Sequence, residues 1–282
     1  MIAITGASGF IGGMLCAALR ARGEAVRRLT RRPDPGRGDA GFALDQPLEA
    51  RALAGVDTLI HAAHDFRPTR EEDLRRLNVG GSRRLFEAAR GAGVGRLVFL
   101  SSIAAYADSR SAYGRVKWTL EQDVAALGGI SLRPGLVYGR ESGGLFQSLD
   151  RVIRVAPLLP DLSARAGIYA VHRTDLLRVI EALLARTPER LPALLPVAHP
   201  ERLTMRRATE VIAEAAGRHA RFVPVPPGVA LAGLRAIEAT GAHLPFRSDS
   251  LVSMLHGNPA PGLSAEVLGV SLRPFTARSL RE

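Results

Sequence analysis

The chain has 282 residues, 46% of them hydrophobic and 23% charged, proportions that suit one large α/β domain or a nucleotide-binding domain with an appended lobe and exclude a disordered or fibrous chain. The single cysteine, Cys16, excludes an internal disulfide framework and a thiolate metal cluster and fits a reducing, cytoplasmic compartment. A formal charge of +11 raises nucleic acid and anionic membranes as partners, but the arginines are scattered in pairs such as Arg27 with Arg28 and Arg206 with Arg207, so neither is expected.

The chain opens on an apolar run that could pass for a signal peptide or a membrane span. No basic segment precedes that run, and Gly6, Gly9, Gly12 and Gly13 break it where a strand at 1–5 turns into a helix at 9–22. The turn, Thr5-Gly6-Ala7-Ser8-Gly9-Phe10-Ile11-Gly12, has the chemistry of a phosphate cradle. Glycines permit a sharp turn and close backbone approach, and the helix start offers N–H groups and a positive dipole end to a pyrophosphate. Its Gly-x-x-Gly-x-x-Gly spacing is one residue longer than the common dinucleotide fingerprint. Gly6, Ser8, Gly9, Phe10, Ile11 and Gly12 are the candidates this turn supplies.

A second strand at 25–29 runs into Arg31 and Arg32. An NAD-preferring site carries a carboxylate about here for the ribose 2′-hydroxyl. Its absence, with two guanidinium groups suited to a 2′-phosphate, favours NADP over NAD. Strands follow near 41–44, 56–61, 96–100, 130–133 and 193–198, and helices near 47–54, 70–91, 112–127 and 173–186, with 33–41 a Pro/Gly/Asp-rich turn region. Such alternation predicts a doubly wound parallel sheet with helices on both faces. His61 and His64 read as structural residues at a strand end, since no cluster has metal spacing, and Thr174 or Asp175 as the cap of the helix after His172. From about 199 the pattern changes and Pro224, Pro226 and Pro227 split the helical segments. The organisation expected is a nucleotide-binding domain over 1–140, rejoined by 166–198, with a substrate lobe from 141–165 and 199–282.

Of the 38 basic residues, Lys117 is the only lysine. It lies four residues after Tyr113, one turn on along the same helix face. Arginine cannot replace a compact ammonium with a tunable pKa, and an ammonium beside a phenol favours phenolate. Tyr113 could then give a proton to a developing alkoxide or take one from an alcohol. Ser101 and Ser102 emerge at the carboxyl end of the 96–100 strand, the edge where ligands sit in open α/β sheets.

With these features, the segments Gly55 to Ala63, Asn78-Val79-Gly80-Gly81-Ser82 and Leu132 to Gly139 make the first 200 or so residues resemble the short-chain dehydrogenase/reductase superfamily. The likeness is to its extended or atypical, epimerase/dehydratase and dihydroflavonol-reductase-like members, and it implies a Rossmann-type fold with a small C-terminal substrate lobe. It also implies that Ser102, four residues before Tyr106, hydrogen-bonds the reacting oxygen, and that Lys117 also holds the nicotinamide ribose. Pro134, Gly135, Leu136 and Val137 would line the nicotinamide, with Ser101 beside the cofactor. Asp45 would face the adenine, Ala62 and Ala63 the adjoining ribose, and Asn78 a backbone position near the site, unless Asp45 is a turn residue and Asn78 steadies a helix irregularity. The segment from Ser102 to Tyr113 is shorter than extended members carry, and Ile103 stands where sugar dehydratases place an acid, which disfavours dehydration. A carbonyl reductase or alcohol dehydrogenase is the leading reading. A nucleotide-sugar epimerase and a non-catalytic NAD(P)-binding or sensing protein are the alternatives. The expected partner is a small-molecule substrate, with a homodimer as an allowed assembly. The stretch Leu244-Pro245-Phe246-Arg247-Ser248-Asp249-Ser250 is similar to distant family members and leaves the substrate open.

Overall fold

The computed structural model describes residues 1–140, 143–162, 166–242, 244 and 246–282. Pro245 of the C-terminal stretch, and 141, 142 and 163–165 of the expected lobe, lie outside the described residues. The strands of the first half are β1 (Ile2–Thr5), β2 (Val26–Thr30), β3 (Ala40–Gly41), β4 (Thr58–His61), β5 (Arg96–Leu100) and β6 (Ile130–Pro134). Short strands β7 (Leu136–Tyr138), β8 (Leu159–Asp161), β9 (Gly167–Ile168) and β10 (Ala170–His172) precede β11 (Leu194–Val197), β12 (Leu203–Thr204) and β13 (Phe222–Pro224). The helices are α1 (Phe10–Ala21), α2 (Glu71–Gly91), α3 (Ala112–Ala126), α4 (Gly144–Val155), α5 (Arg173–Leu184), α6 (Met205–Ala215), α7 (Pro227–Ala239) and α8 (Ser248–Leu255).

Seven strands form the central sheet in the order β11-β6-β5-β4-β1-β2-β3. The pairs β1–β2, β1–β4, β2–β3, β4–β5 and β5–β6 are all parallel. Strand order reverses between β1 and β4, so this is the Rossmann order with a further strand at one edge, and ligands in such sheets sit at the carboxyl ends beside that reversal. Strands buried on both faces need continuous apolar runs. Ile4, Leu29, Leu59, Ile60, Val98, Phe99 and Leu132 meet that need with no exposed surface.

The 47–54 helix is a single 3₁₀ turn, Ala50–Leu53, ended by Gly55 at φ +68°. So short a segment gains too few hydrogen bonds to offset helix nucleation. The cap of α5 is His172 itself, whose ring accepts from the Thr174 N–H at 3.3 Å. Asp175 instead accepts three hydrogen bonds from Arg273 at 2.8–3.0 Å.

The chain divides into two compact units, one of 1–105, 115–133 and 186–195, the other of 106–114, 134–185 and 196–282. The second is centred on Tyr138, Phe146, Ile168, Ile212, Leu251 and Phe275. No helix among the described residues is long and apolar enough to cross a membrane.

Candidate active site

The glycine turn is held by its own backbone: the Gly9 N–H donates to Gly6 O at 2.8 Å, and Gly13 N–H to Gly9 O at 2.8 Å. Gly6 has φ +66°, and a Cβ there would meet the Ala62 and Ala63 backbone at 2.9 Å. At Gly12 a Cβ would stand 2.3 Å from Gly6 O. Both glycines are therefore fixed by close approach. Gly9 caps α1 with no side-chain hydrogen bond, and the first turn holds no acid, so nothing in the side chains competes with an anion for the positive helix end. Ser8 is exposed there, and Phe10 and Ile11 are half-buried.

Thr5 and His61 end β1 and β4 side by side. The Thr5 hydroxyl accepts from the Ala62 and Ala63 N–H groups at 3.1 and 3.2 Å, and so gives its own proton to His61 Nδ1 at 2.7 Å. His61 Nε2 then donates to Ser82 Oγ at 2.8 Å. Burial holds this imidazole neutral, its pKa pushed down to about 3. Asn78 accepts the Asp65 N–H at 2.8 Å and donates to Asp65 O and Leu74 O at 3.0 and 2.9 Å, which clips the loop after β4 to α2. Gly81 allows the close approach of α2 to Leu44, whose carbonyl would lie 2.3 Å from an added Cβ. The Asn78-to-Ser82 motif is thus a packing and clamping device, with Asn78 and Ser82 one turn apart.

Arg31 and Arg32 are exposed just past β2, and neither forms an ion pair among the described residues. Asp45 is exposed in the loop after β3. Asp65 is held below the ordinary carboxylate range, first by hydrogen bonds from Arg67, with Arg31 adding a smaller pull.

At the end of β5, Lys117 is 3% exposed. Its ammonium donates to Leu100 O at 2.6 Å and lies 4.6 Å from the centre of the Phe99 ring. Burial pulls its pKa down to about 7, and the charge of Glu121 opposes the fall. Glu121 lies one turn on from Lys117 and is bound bidentately by Arg133 of β6 at 2.8 and 2.6 Å. Ser101 donates to the same carboxylate at 2.5 Å, so the Ser101 hydroxyl, expected beside the cofactor, is committed to this pair. Neither Glu121 nor Arg133 was among the sequence candidates, although the Lys117-to-Glu121 spacing was readable. Ser102 is half-buried and its hydroxyl accepts the Ala104 N–H at 3.2 Å.

Tyr113 is half-buried in the first turn of α3, whose N–H groups are fully claimed at Ala112, Tyr113 and Gly114. The boundary between the two units falls after Gly114, so Tyr113 and Ser102 belong to different units. Pro134 ends β6, and Leu136 and Val137 lie in β7, which pairs with β10. Gly135 is set by close approach, since a Cβ would lie 2.5 Å from Tyr169 O.

The NAD dependent epimerase/dehydratase family model matches residues 2–156. A ceramide reductase of Caulobacter vibrioides is 33% identical over 253 residues, 83% of this chain and 76% of its own length. The dTDP-6-deoxy-L-talose 4-dehydrogenase (NAD(P)(+)) of Kitasatospora kifunensis is 28% identical over 261 residues, 80% of this chain and 82% of that one. Among solved structures, MoeE5 in complex with UDP-glucuronic acid and NAD has a TM-score of 0.68 at 26% identity, over 80% of this chain and 85% of that one. With that match across more than half its length, and an oxidoreductase relative across most of it, the chain belongs to the NAD-dependent epimerase/dehydratase family of enzymes.

Proposed function

We propose that the chain is an NADP-preferring reductase or dehydrogenase that interconverts a carbonyl and a secondary alcohol, with Ser102, Tyr113 and Lys117 as its catalytic residues. The observation that carries this is the lone lysine of the sequence, buried at the carboxyl end of β5 one helical turn from a tyrosine. Residues 1–140, rejoined by 166–198, would then form the dinucleotide-binding part, and 141–165 with 199–282 the substrate part.

The residues present fit a dinucleotide. The turn at Gly6, Gly9 and Gly12 leaves no side chain between the backbone and a pyrophosphate. Arg31 and Arg32, exposed just past β2, would supply the donors that a 2′-phosphate needs. Asp45, Ala62, Ala63, Asn78, Ser101 and the run Pro134 to Val137 complete the proposed surround. The Ala62 and Ala63 N–H groups, the Asn78 amide and the Ser101 hydroxyl are already engaged, so these residues would serve it chiefly by shaping backbone. A nicotinamide held there supplies or accepts the hydride.

The chain's own residues handle the proton. Tyr113 donates to the developing alkoxide, and Ser102 holds the reacting oxygen. Lys117, with a pKa of about 7, is part ammonium near neutrality, so it steadies phenolate and can return the proton. Ile103 next to Ser102 offers no acid for elimination, which favours reduction over dehydration.

The test is a binding and turnover screen of the purified chain. Titration by nicotinamide fluorescence should show tighter binding of NADPH than of NADH. Long-chain ketones and 4-keto nucleotide sugars, the classes suggested by the two oxidoreductase relatives, should be offered with NADPH and its oxidation followed. Net oxidation with any of these ketones supports the reading. A dinucleotide retained through purification, with UDP-sugar interconversion and no net oxidation, would replace it with the epimerase reading.

A further inference from the structure

An α-helix starts with N–H groups that have no partner within the helix. Among the described residues, α5 uses His172 and α6 uses Thr204 as caps, each beside its own first turn. The helix α3 is different. Ser111 takes the Gly114 N–H at 3.0 Å in the local manner, but the Ala112 and Tyr113 N–H groups donate to Asp249, to one carboxylate oxygen each, at 2.7 and 3.0 Å. The carboxylate lies 137 and 136 positions along the chain from them. A bidentate carboxylate on two N–H groups at the positive end of a helix is a charge-assisted contact, stronger and more directional than a hydroxyl cap.

Asp249 is itself firmly held. It sits in the first turn of α8, whose Leu251 and Met254 are buried in the core of the second unit. The preceding Ser248 donates its N–H and hydroxyl to Glu238 of α7 at 2.7 and 2.6 Å. At the other end of α8, His256 O accepts the Tyr106 hydroxyl at 2.7 Å. One helix thus grips both ends of the 106–113 segment. Tyr113 itself is gripped at its own backbone nitrogen, which fixes the Cα–Cβ vector that aims the phenol.

We infer that Asp249 is a positioning residue of the active site, a remote carboxylate cap that sets Tyr113 in place from the C-terminal part of the chain. The inference rests on the reading of Tyr113 as the proton donor. It also gives the Arg247-Ser248-Asp249-Ser250 segment a task that its sequence leaves open.

The test compares Asp249→Asn, Asp249→Ala and Asp249→Glu with the unmodified chain. Asparagine keeps the shape but turns one acceptor into a donor facing an N–H, alanine removes both acceptors, and glutamate restores both on a longer arm. Hydrogen exchange should quicken at the Ala112 and Tyr113 amides in the alanine and asparagine variants. With NADPH and the ketone the screen identifies, kcat should fall on the order of 10-fold to 100-fold in Asp249→Ala, as for a sub-ångström to ångström misplacement of a reacting group. The NADPH affinity should be unchanged, and Asp249→Glu should recover part of kcat. An unaltered kcat overturns the inference, as does a loss that disappears at a temperature where the variant is fully folded. Unquickened exchange at the two amides sinks the cap whatever the chain reduces. A chain that reduces no ketone but shows the quickened exchange sinks the reductase reading and leaves the cap in place.

Discussion

The first and third turns of α3 are fixed by opposite means. At the first turn, polar backbone groups beside a half-buried Tyr113 are tied by Asp249 from far along the sequence. At the third, Glu121 is 4% exposed and sealed into an ion pair with Arg133, with Ser101 and Lys117 around it. Water can take over the N–H groups of a half-buried cap that is removed, whereas breaking a buried pair strands the surviving charge. The helix therefore holds its amine beside a buried ion pair and aims its phenol through a half-buried carboxylate cap.

That contrast fixes the ranking of the expected effects. Glu121→Ala leaves Arg133 charged and buried without its partner, and should cost about 3–5 kcal/mol of stability, read as a shift in urea midpoint. Replacing both partners together by leucine should cost much less, because no charge is stranded. Equal losses in the single and double variants would mean that packing, not charge, fixes the third turn.

The Lys117 environment makes a pH prediction of intermediate size. Its folded pKa is about 7 and its ordinary value 10.5, so between these the unfolded chain binds more protons and stability rises with pH. The penalty for the buried ammonium is complete below about pH 7 and fades as pH climbs toward 10.5. Subtracting the Lys117→Met unfolding curve should isolate this rise. A flat difference would mean that the ammonium is well compensated in the fold.

The smallest effect should come from an exposed pair, Arg31 and Arg32. Arg31→Ala with Arg32→Ala should leave folding and NADH binding alone and weaken NADPH binding about tenfold, near the lower end for a hydrogen bond to a charged group. Unchanged NADPH affinity would remove the 2′-phosphate assignment.

The sheet was legible because its central strands are largely apolar and bounded by glycines: the 96–100 strand is observed as Arg96–Leu100 and the 70–91 helix as Glu71–Gly91. The lone Lys117 was legible for a chemical reason, since it stands out in a chain otherwise supplied with arginine. Asp249 was not, because a cap supplied from 136 residues away leaves no periodicity or spacing to read. Nor was the Arg133 partnership with Glu121, which exists only once β6 lies beside β5. Ser101 illustrates the limit at close range: its neighbourhood was readable, but which of two adjacent hydroxyls turns toward the buried carboxylate depends on how the chain leaves β5.

The central claim is that Tyr113 is the proton donor in hydride transfer to a carbonyl. Single-turnover oxidation of bound NADPH by the ketone substrate, in the unmodified chain and in Tyr113→Phe, tests it most directly. The account predicts that Tyr113→Phe binds NADPH with unchanged affinity and melts at the same temperature, while the transfer step slows on the order of 10²–10⁴-fold. Transfer at the unmodified rate in that variant would contradict the account and place the proton donor elsewhere.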